Sequence, residues 1–235
     1  MARLPRLSMP DVPHHIILWG HNHQPIVIDD EDRQQWLALL RDGAVTERVD
    51  VHGWALLSQH LHLLITPQTA SGLARFMQSL SRRYSAAFNR RHGRQGTLWE
   101  GRYRCGLVQP SGVLLDVLLF IETHPWRSGE VEQVADPAWS SLDHHLGRRR
   151  DPLIHDGVAW WALGNTPFER ELAWAKRLHE GLSADDLQRI AQRARRGWPH
   201  GDPGFLDMVT QTTGLSAQPR PRGRPRRTES DLAPD

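Results

Sequence analysis

Cysteine is almost absent from this sequence, which contains one, Cys105, among 235 residues. A single cysteine excludes an intrachain disulfide and a cysteine-based zinc site, and it favours a reducing cytoplasm as the compartment. Long apolar runs are also missing, since no window approaches the roughly 18 uninterrupted apolar residues of a membrane span. The opening MARLPRLSMPDVP has no apolar core, so we expect no secretory signal and no membrane partner.

Tyrosine is scarce as well, because the chain has only Tyr84 and Tyr103. A hydrophobic content of 39% and a mean hydropathy of −0.55 are compatible with a folded, soluble chain. The length is sufficient for one large domain, or for a core domain with a smaller one. The net charge is only +2 although the pI is near 9.2, so the distribution of charge is more informative than its sum.

Two short apolar runs, VHGWALL and HLHLLITP, occupy residues 51–57 and 60–67. If the second run is a strand, its two-residue period places His60 and His62 on the same face. Paired imidazoles on one face suit a metal site. An isolated H-x-H is a weak motif, however, and histidines that only pack or hydrogen-bond are the alternative.

Positive charge is concentrated between residues 75 and 104, where eight arginines accompany one acid, Glu100. Several aromatic residues lie among these arginines. Arginine forks suit phosphates and aromatic faces suit unstacked bases, so the segment favours nucleic-acid binding. A solvated basic face around core aromatics is the alternative.

The order of predicted elements indicates the fold class. Strands are predicted over residues 14–19, 51–57, 60–66 and 97–108. Helices are predicted over residues 31–43 with Gly43 as the stop, 71–92, and 113–129 with a stop at Pro125. This order is that of a ferredoxin-like α+β fold, a mostly antiparallel sheet with helices on one face.

Four segments carry a family resemblance: MARLPRL with PHHI, LLSQHLHLLITP, RRYSAAFNRRHGRQGTLWEGRYR, and FIETHPWRSGEV with WSS. Their order and spacing over residues 1–145 resemble the single-tyrosine HUH transposases, in particular the REP-associated tyrosine transposases. The stretch from WALGNTPFERELAW to GRPRR resembles the C-terminal extension of that branch. The resemblance implies binding of single-stranded or hairpin DNA at repeats.

The resemblance also implies a divalent metal, held by His60, His62 and a third ligand that matches His124. The third ligand is usually an amide residue in this branch, and Ser58-Gln59 stand where Pro-Asn is usual. Such a metal polarises a scissile phosphate as a Lewis acid. Mg, Mn or Zn would serve, and three imidazoles favour Mn or Zn.

The nucleophile of the family is a tyrosine five positions before the proline, and Phe120 occupies that position here. Phenylalanine has no hydroxyl to attack phosphorus, so the sequence predicts that covalent strand cleavage is lost. Tyr84, on the apolar stripe of a helix, and Tyr103 are poor substitutes. The residues expected to contact DNA are Arg82, Arg83, Arg90, Arg91, Arg94, Trp99, Arg102, Tyr103, Arg104, Arg222 and Arg224.

We expect three parts: a transposase-like domain over residues 1–147, a helical extension over 148–215 and a disordered Arg/Pro-rich tail over 216–235. Thr166 and Glu169 predict a capping box at the start of the first extension helix. The extension helices either form a helix-turn-helix that reads duplex DNA or pack on the domain. The tail motif PRGRPRR is either an AT-hook or a basic tail with sequence-blind affinity. The pair His144-His145 is assigned to the surface.

Three functions remain open from the sequence. The first is a transposase-type DNA-binding protein without tyrosine-mediated cleavage. The second is an active metal-dependent nuclease that uses water instead of tyrosine. The third is a non-enzymatic RNA or DNA binder with a vestigial metal site. Whether the protein is a monomer or a dimer is undecided.

Overall fold

The computed structural model describes residues 7–134, 136 and 139–217. The four strands are His14–Trp19 (β1), Val49–Leu56 (β2), His60–Pro67 (β3) and Arg104–Leu107 (β4). The helices up to the middle of the chain are Asp30–Glu47 (α1), Gly72–Arg91 (α2), Leu114–Glu122 (α3) and His124–Arg127 (α4). Those that follow are Leu142–His145 (α5), Val158–Trp161 (α6), Pro167–Glu180 (α7), Ala184–Arg196 (α8) and Pro203–Thr213 (α9).

The strands form one antiparallel sheet in the order β2-β3-β1-β4. With α1 after β1 and α2 after β3, this is the ferredoxin-like arrangement, and the predicted fold class is confirmed. The central strands β1 and β3 bear almost wholly buried side chains. None of the helices in the described part of the chain could cross a membrane.

Helices α1 and α2 cover one face of the sheet, where Trp36, Trp54 and Phe76 form the centre of the core. The expected stop of α1 at Gly43 is wrong, because the helix continues to Glu47. A Cβ at Gly43 would lie 3.2 Å from the ring of Phe76. This glycine therefore allows α1 and α2 to approach closely rather than ending a helix.

The opposite face is covered by α3 and by the helices of the extension. Leu64 of the sheet, Val117 of α3, and Trp160, Trp174 and Ile190 of the extension belong to one buried apolar cluster. The capping box of Thr166 and Glu169 is present at the start of α7. The extension thus uses apolar sides of its helices for packing. The α+β class is as expected, but the sheet is covered on both faces rather than on one, because α3 packs opposite α1 and α2.

The predicted strand over residues 97–108 is shorter than expected, because β4 begins at Arg104. The preceding loop instead bonds to the end of β1: the Glu100 amide donates to the Trp19 carbonyl at 3.0 Å. Trp19 pairs with His60 across the sheet. The loop therefore lies at the end of the sheet where β3 begins.

Candidate metal centre

Strand β3 places two histidines side by side on the face that α3 covers. The rings of His60 and His62 have centroids 5.3 Å apart. Leu61 and Leu63, which alternate with them, belong to the core of the other face. His62 is buried and His60 is half-buried, so the pair runs from the interior of the domain towards its surface.

The junction of α3 and α4 brings the third histidine to this pair. Helix α3 ends at Glu122, and Pro125 lies in the first turn of α4, where a missing N–H costs no hydrogen bond. His124 starts α4, and its Nε2 lies 2.8 Å from Nε2 of His60. One ligand atom from each of His60, His62 and His124 lies within 4.8 Å of the others.

These distances fit a single metal ion. Two nitrogens bound to one ion at about 2.1 Å and at right angles lie about 3 Å apart. An N–H···N hydrogen bond has the same length, so the third imidazole is the more informative one. In addition, Nδ1 of His124 is buried and has no hydrogen-bond partner among the described residues.

The electrostatic environment keeps these imidazoles neutral. Burial lowers the pKa of His60, lowers the pKa of His62 well below its ordinary value, and lowers that of His124 to about 3. Nearby positive charge from Arg127 lowers the last two further. Neutral imidazoles offer the lone pairs that a metal needs. The donor set of three nitrogens thus fits a divalent ion.

A fourth histidine, His15 of β1, forms a hydrogen bond with one member of this cluster. Its Nε2 lies 2.9 Å from Nδ1 of His62, and the side chain is buried. If His62 offers Nε2 to a metal, its Nδ1 carries the proton and donates to His15. Burial lowers the pKa of His15 to about 3, so His15 remains a neutral acceptor.

Phe120 lies among the histidines, on the side of α3 that faces the sheet. Its ring is stacked on that of His124, with centroids 5.7 Å apart and planes at 20°. Its centroid lies 6.0 Å from that of His62. The guanidinium carbon of Arg127 lies 4.1 Å from the centre of the Phe120 ring. The Phe120 ring is 3% exposed and carries no oxygen.

Both tyrosines lie in the core of the other face of the sheet. Tyr84 is fully buried, its hydroxyl donates to the Ile26 carbonyl at 2.7 Å, and burial raises its pKa. Tyr103 is half-buried and packs against the same core. Neither tyrosine belongs to the cluster that surrounds Phe120.

The arginines proposed for DNA binding differ in their surroundings. Arg82, Arg90, Arg102 and Arg104 are exposed. Arg83 pairs with Asp42, Arg91 pairs with Asp29, Glu31 and Asp32, and Arg94 donates to Gln24.

Trp99 is 8% exposed and donates its indole N–H to the Ser81 carbonyl. It packs in the core, so the structure does not present its ring to a base. Arg222 and Arg224 lie outside the described residues.

A second group of possible ligands consists of His144, His145 and Asp156. The assignment of this histidine pair to the surface is wrong for His145, which is 1% exposed. Nδ1 of His145 lies 2.6 Å from the carboxylate of Glu122. His144 accepts the Asp151 amide at Nδ1, so when neutral it carries its proton on Nε2, 3.5 Å from Asp156. Nδ1 of both histidines is therefore engaged by hydrogen bonds, while Oδ1 of Asp156 is buried and has no hydrogen-bond partner among the described residues.

Two residues near the centre, His15 and Arg127, were missed by the sequence reasoning. For His15 a signal existed, since the predicted first strand begins with His14-His15 and neighbours the strand of His62. The predicted fold class implies that the two strands are neighbours, but not their register, which brings His15 to His62, so the contact could not be inferred. Arg127 follows Pro125 in a turn whose conformation the pattern did not predict.

Comparisons with known proteins agree with this fold. A family model described as "Transposase IS200 like" matches residues 8–124. A solved structure of a REP-associated tyrosine transposase bound to a REP hairpin has a TM-score of 0.54 and 16% identity, covering 68% of this chain and 93% of that chain. A candidate transposase from Deinococcus radiodurans has a TM-score of 0.34 and 20% identity, covering 44% of this chain and 84% of that chain. No curated protein matches the chain.

The family match spans the strands and helices that carry His15, His60, His62, Phe120 and His124, and it ends at His124 itself. The likeness to the solved structure is one of fold, and the sequence match covers the site. Through residues 8–124, this chain belongs to the IS200-like transposase family.

Proposed function

We propose that this protein binds single-stranded or hairpin DNA in the cytoplasm and holds one phosphate at a divalent metal without cleaving the strand covalently. His60, His62 and His124 would hold the metal, which supplies Lewis-acid polarisation of a phosphate oxygen when bound. Family membership and the likeness to a transposase bound to a REP hairpin support DNA as the partner.

The observation that carries this proposal is the stacking of Phe120 on His124 inside the histidine cluster. A nucleophile at this position needs an oxygen to form a bond to phosphorus. The phenyl ring has none, and both tyrosines lie on the other face of the sheet. The site keeps its ligands and has lost its nucleophile.

Hydrolysis by water is less well supported by the surroundings of the cluster. It requires a general base within reach of a water molecule at the metal. Glu122 is nearest along α3, but its carboxylate accepts from Ser141, His145 and Trp174 on the side towards the extension. It is occupied as the centre of a buried network.

Exposed arginines at the end of the sheet provide a path for the strand. Arg102 and Arg104 flank the start of β4, next to the loop that bonds to Trp19. Trp19 pairs with His60, so these arginines lie at the same end of the sheet as the first metal ligand. Arg82 and Arg90 lie on α2, which covers the other face.

An experiment with labelled hairpin DNA carrying a single-stranded flank tests the proposal. Wild-type protein is incubated with the DNA and Mn²⁺ or with EDTA, and the products are run on native and denaturing gels. We expect a shifted band that weakens with EDTA, with no covalent adduct and no shortened DNA. An adduct or a hydrolysed product would overturn the loss of cleavage. Absence of any shift, or preference for RNA of the same sequence, would overturn DNA as the partner.

A further inference from the structure

Arg127 is a half-buried cation whose contacts among the described residues include no acid. Its Nη2 donates to the Phe120 carbonyl and its Nε donates to the Thr123 hydroxyl at 3.3 Å. Its other hydrogen-bond donors have no acceptor in the described part of the chain. Arg177, which is also half-buried, pairs with Asp116. Arg170 and Arg193 resemble Arg127 in donating to backbone carbonyls without an acidic partner in the described part of the chain, but neither lies beside the histidine cluster.

A half-buried cation without an acidic partner is unfavourable unless an anion binds to it. Burial lowers the pKa of Arg127 to about 10, which reflects the same cost. Its two hydrogen bonds to neutral oxygens and its stacking on Phe120 fix the guanidinium plane. An arginine that is oriented but not neutralised is suited to receive an anionic ligand.

We infer that Arg127 binds a phosphate of the DNA strand directly beside the histidine cluster. The inference rests on the proposed function and names the residue that recognises its ligand. A guanidinium fork matches two oxygens of a phosphate, and charge-assisted hydrogen bonds of this kind are strong. His124 and Arg127 are the two ends of α4, so a phosphate at the arginine lies one helical turn from the third metal ligand.

The stacking of Arg127 on Phe120 also determines where the bound phosphate lies. The guanidinium lies over the ring at the nucleophile position. It therefore holds the phosphate where a tyrosine oxygen would have attacked, and Phe120 supplies no attacking group. The result is a site that grips the strand backbone at one phosphate.

The test compares R127Q and R127K with R41Q, which removes an exposed arginine of α1 outside the predicted DNA-binding set. Affinity for the labelled hairpin is measured by fluorescence anisotropy at several salt concentrations with Mn²⁺ present. We expect R127Q to lose about tenfold or more in affinity and about 0.7 in the slope of log K against log salt. R127K should retain the slope but not the full affinity, because lysine lacks the planar fork. R41Q should change affinity less than about twofold.

A second probe locates the contact on the DNA. Hairpins with one neutral methylphosphonate linkage are scanned position by position. One linkage should weaken wild-type binding and have no further effect on R127Q. If R127Q keeps the wild-type affinity and salt slope, the inference fails while the proposed function stands. If R127Q loses affinity with an unchanged slope and a lowered melting temperature, and R127K does the same, Arg127 is structural and the inference also fails. If the wild-type protein binds no oligonucleotide, both fail.

Discussion

The Nδ1 atom of His62 lies 2.9 Å from Nε2 of His15, on the neighbouring strand. This contact fixes which nitrogen of His62 faces the other imidazoles. Replacing His15 by Phe removes the acceptor, and outer-shell losses of this kind typically cost about 10–100-fold in metal affinity. Replacement by Gln keeps an acceptor oxygen and should cost less.

Isothermal titration with Mn²⁺ or Zn²⁺ measures these affinities for wild type, H15F and H15Q. Circular dichroism of each variant checks that the buried site still folds. Equal metal affinity in the wild type and H15F would contradict a positioning role for His15.

Metal should stabilise the wild-type protein through the three-histidine cluster. A ligand that binds only the native state at 100 times its Kd adds about 2.7 kcal/mol to the free energy of unfolding. Replacing His124 by Ala should abolish this increment, measured as the rise in Tm on adding Zn²⁺ or Mn²⁺. H144N, in the group of His144, His145 and Asp156, is the matched control and should keep it. Loss of the increment in H144N but not in H124A would place the metal in the other group.

Restoring a hydroxyl at position 120 should restore strand cleavage. The F120Y variant adds one oxygen to a ring already stacked on His124. We expect a covalent adduct between F120Y and single-stranded hairpin DNA in the presence of Mn²⁺, detected on a denaturing gel. The double variant F120Y/H62A should form none, because the metal ligand is missing. If F120Y binds DNA without an adduct, the site has lost more than its nucleophile.

Lowering the pH should destabilise the fold already at pH values above those at which carboxylates take up protons. Burial lowers the pKa of both His14 and His200 to about 4. In the unfolded chain these imidazoles titrate near their ordinary pKa of about 6.5. Between these values the unfolded state binds more protons, so the free energy of unfolding falls as the pH falls.

Urea titrations in EDTA at pH 6.5, 5.8 and 5.0 measure this dependence. We expect a lower midpoint at each step down in pH and a shallower decline in H14Q and H200Q. A midpoint that stays constant or rises towards pH 5 would contradict the neutral, buried state of these side chains.

The segment that follows α8 packs against β4 and leaves no space for a side chain at Gly106. A Cβ there would lie 2.5 Å from the Trp198 carbonyl oxygen, which is backbone and cannot move aside alone. G106A should therefore lower the free energy of unfolding by about 1–3 kcal/mol. At Gly204 the nearest atom to such a Cβ lies at 3.4 Å, so G204A should be neutral or slightly stabilising. Equal urea midpoints for the two variants would contradict this packing.

The sequence predicted the sheet and the histidine pair because both depend on local periodicity. A two-residue period fixes the faces of His60 and Leu61 wherever the strand lies. The position of Gly43 was misjudged because its role is a tertiary contact with Phe76, which periodicity does not contain. The burial of His145 was missed for the same reason, since its partner Glu122 lies 23 residues earlier.

The unpaired state of Arg127 could not be predicted either. Charge balance around a side chain depends on which acids the fold brings near it. Along the chain, Glu130 is close to Arg127, but its carboxylate accepts from the amide and hydroxyl of Ser58. Only the folded arrangement shows that this acid is engaged elsewhere.

The apolar cluster shared by α3 and the extension has a consequence for how the chain can be divided. Phe120, inside the family-matched segment, belongs to the same cluster as Trp174 and Ile190, which lie outside it. A fragment that ends after residue 147 would expose the apolar side of α3 that packs on the extension, and the strands that α8 covers, and would tend to aggregate. Evolutionary exchange of the extension for another module would require compensating changes on α3, so the two halves are expected to be inherited together.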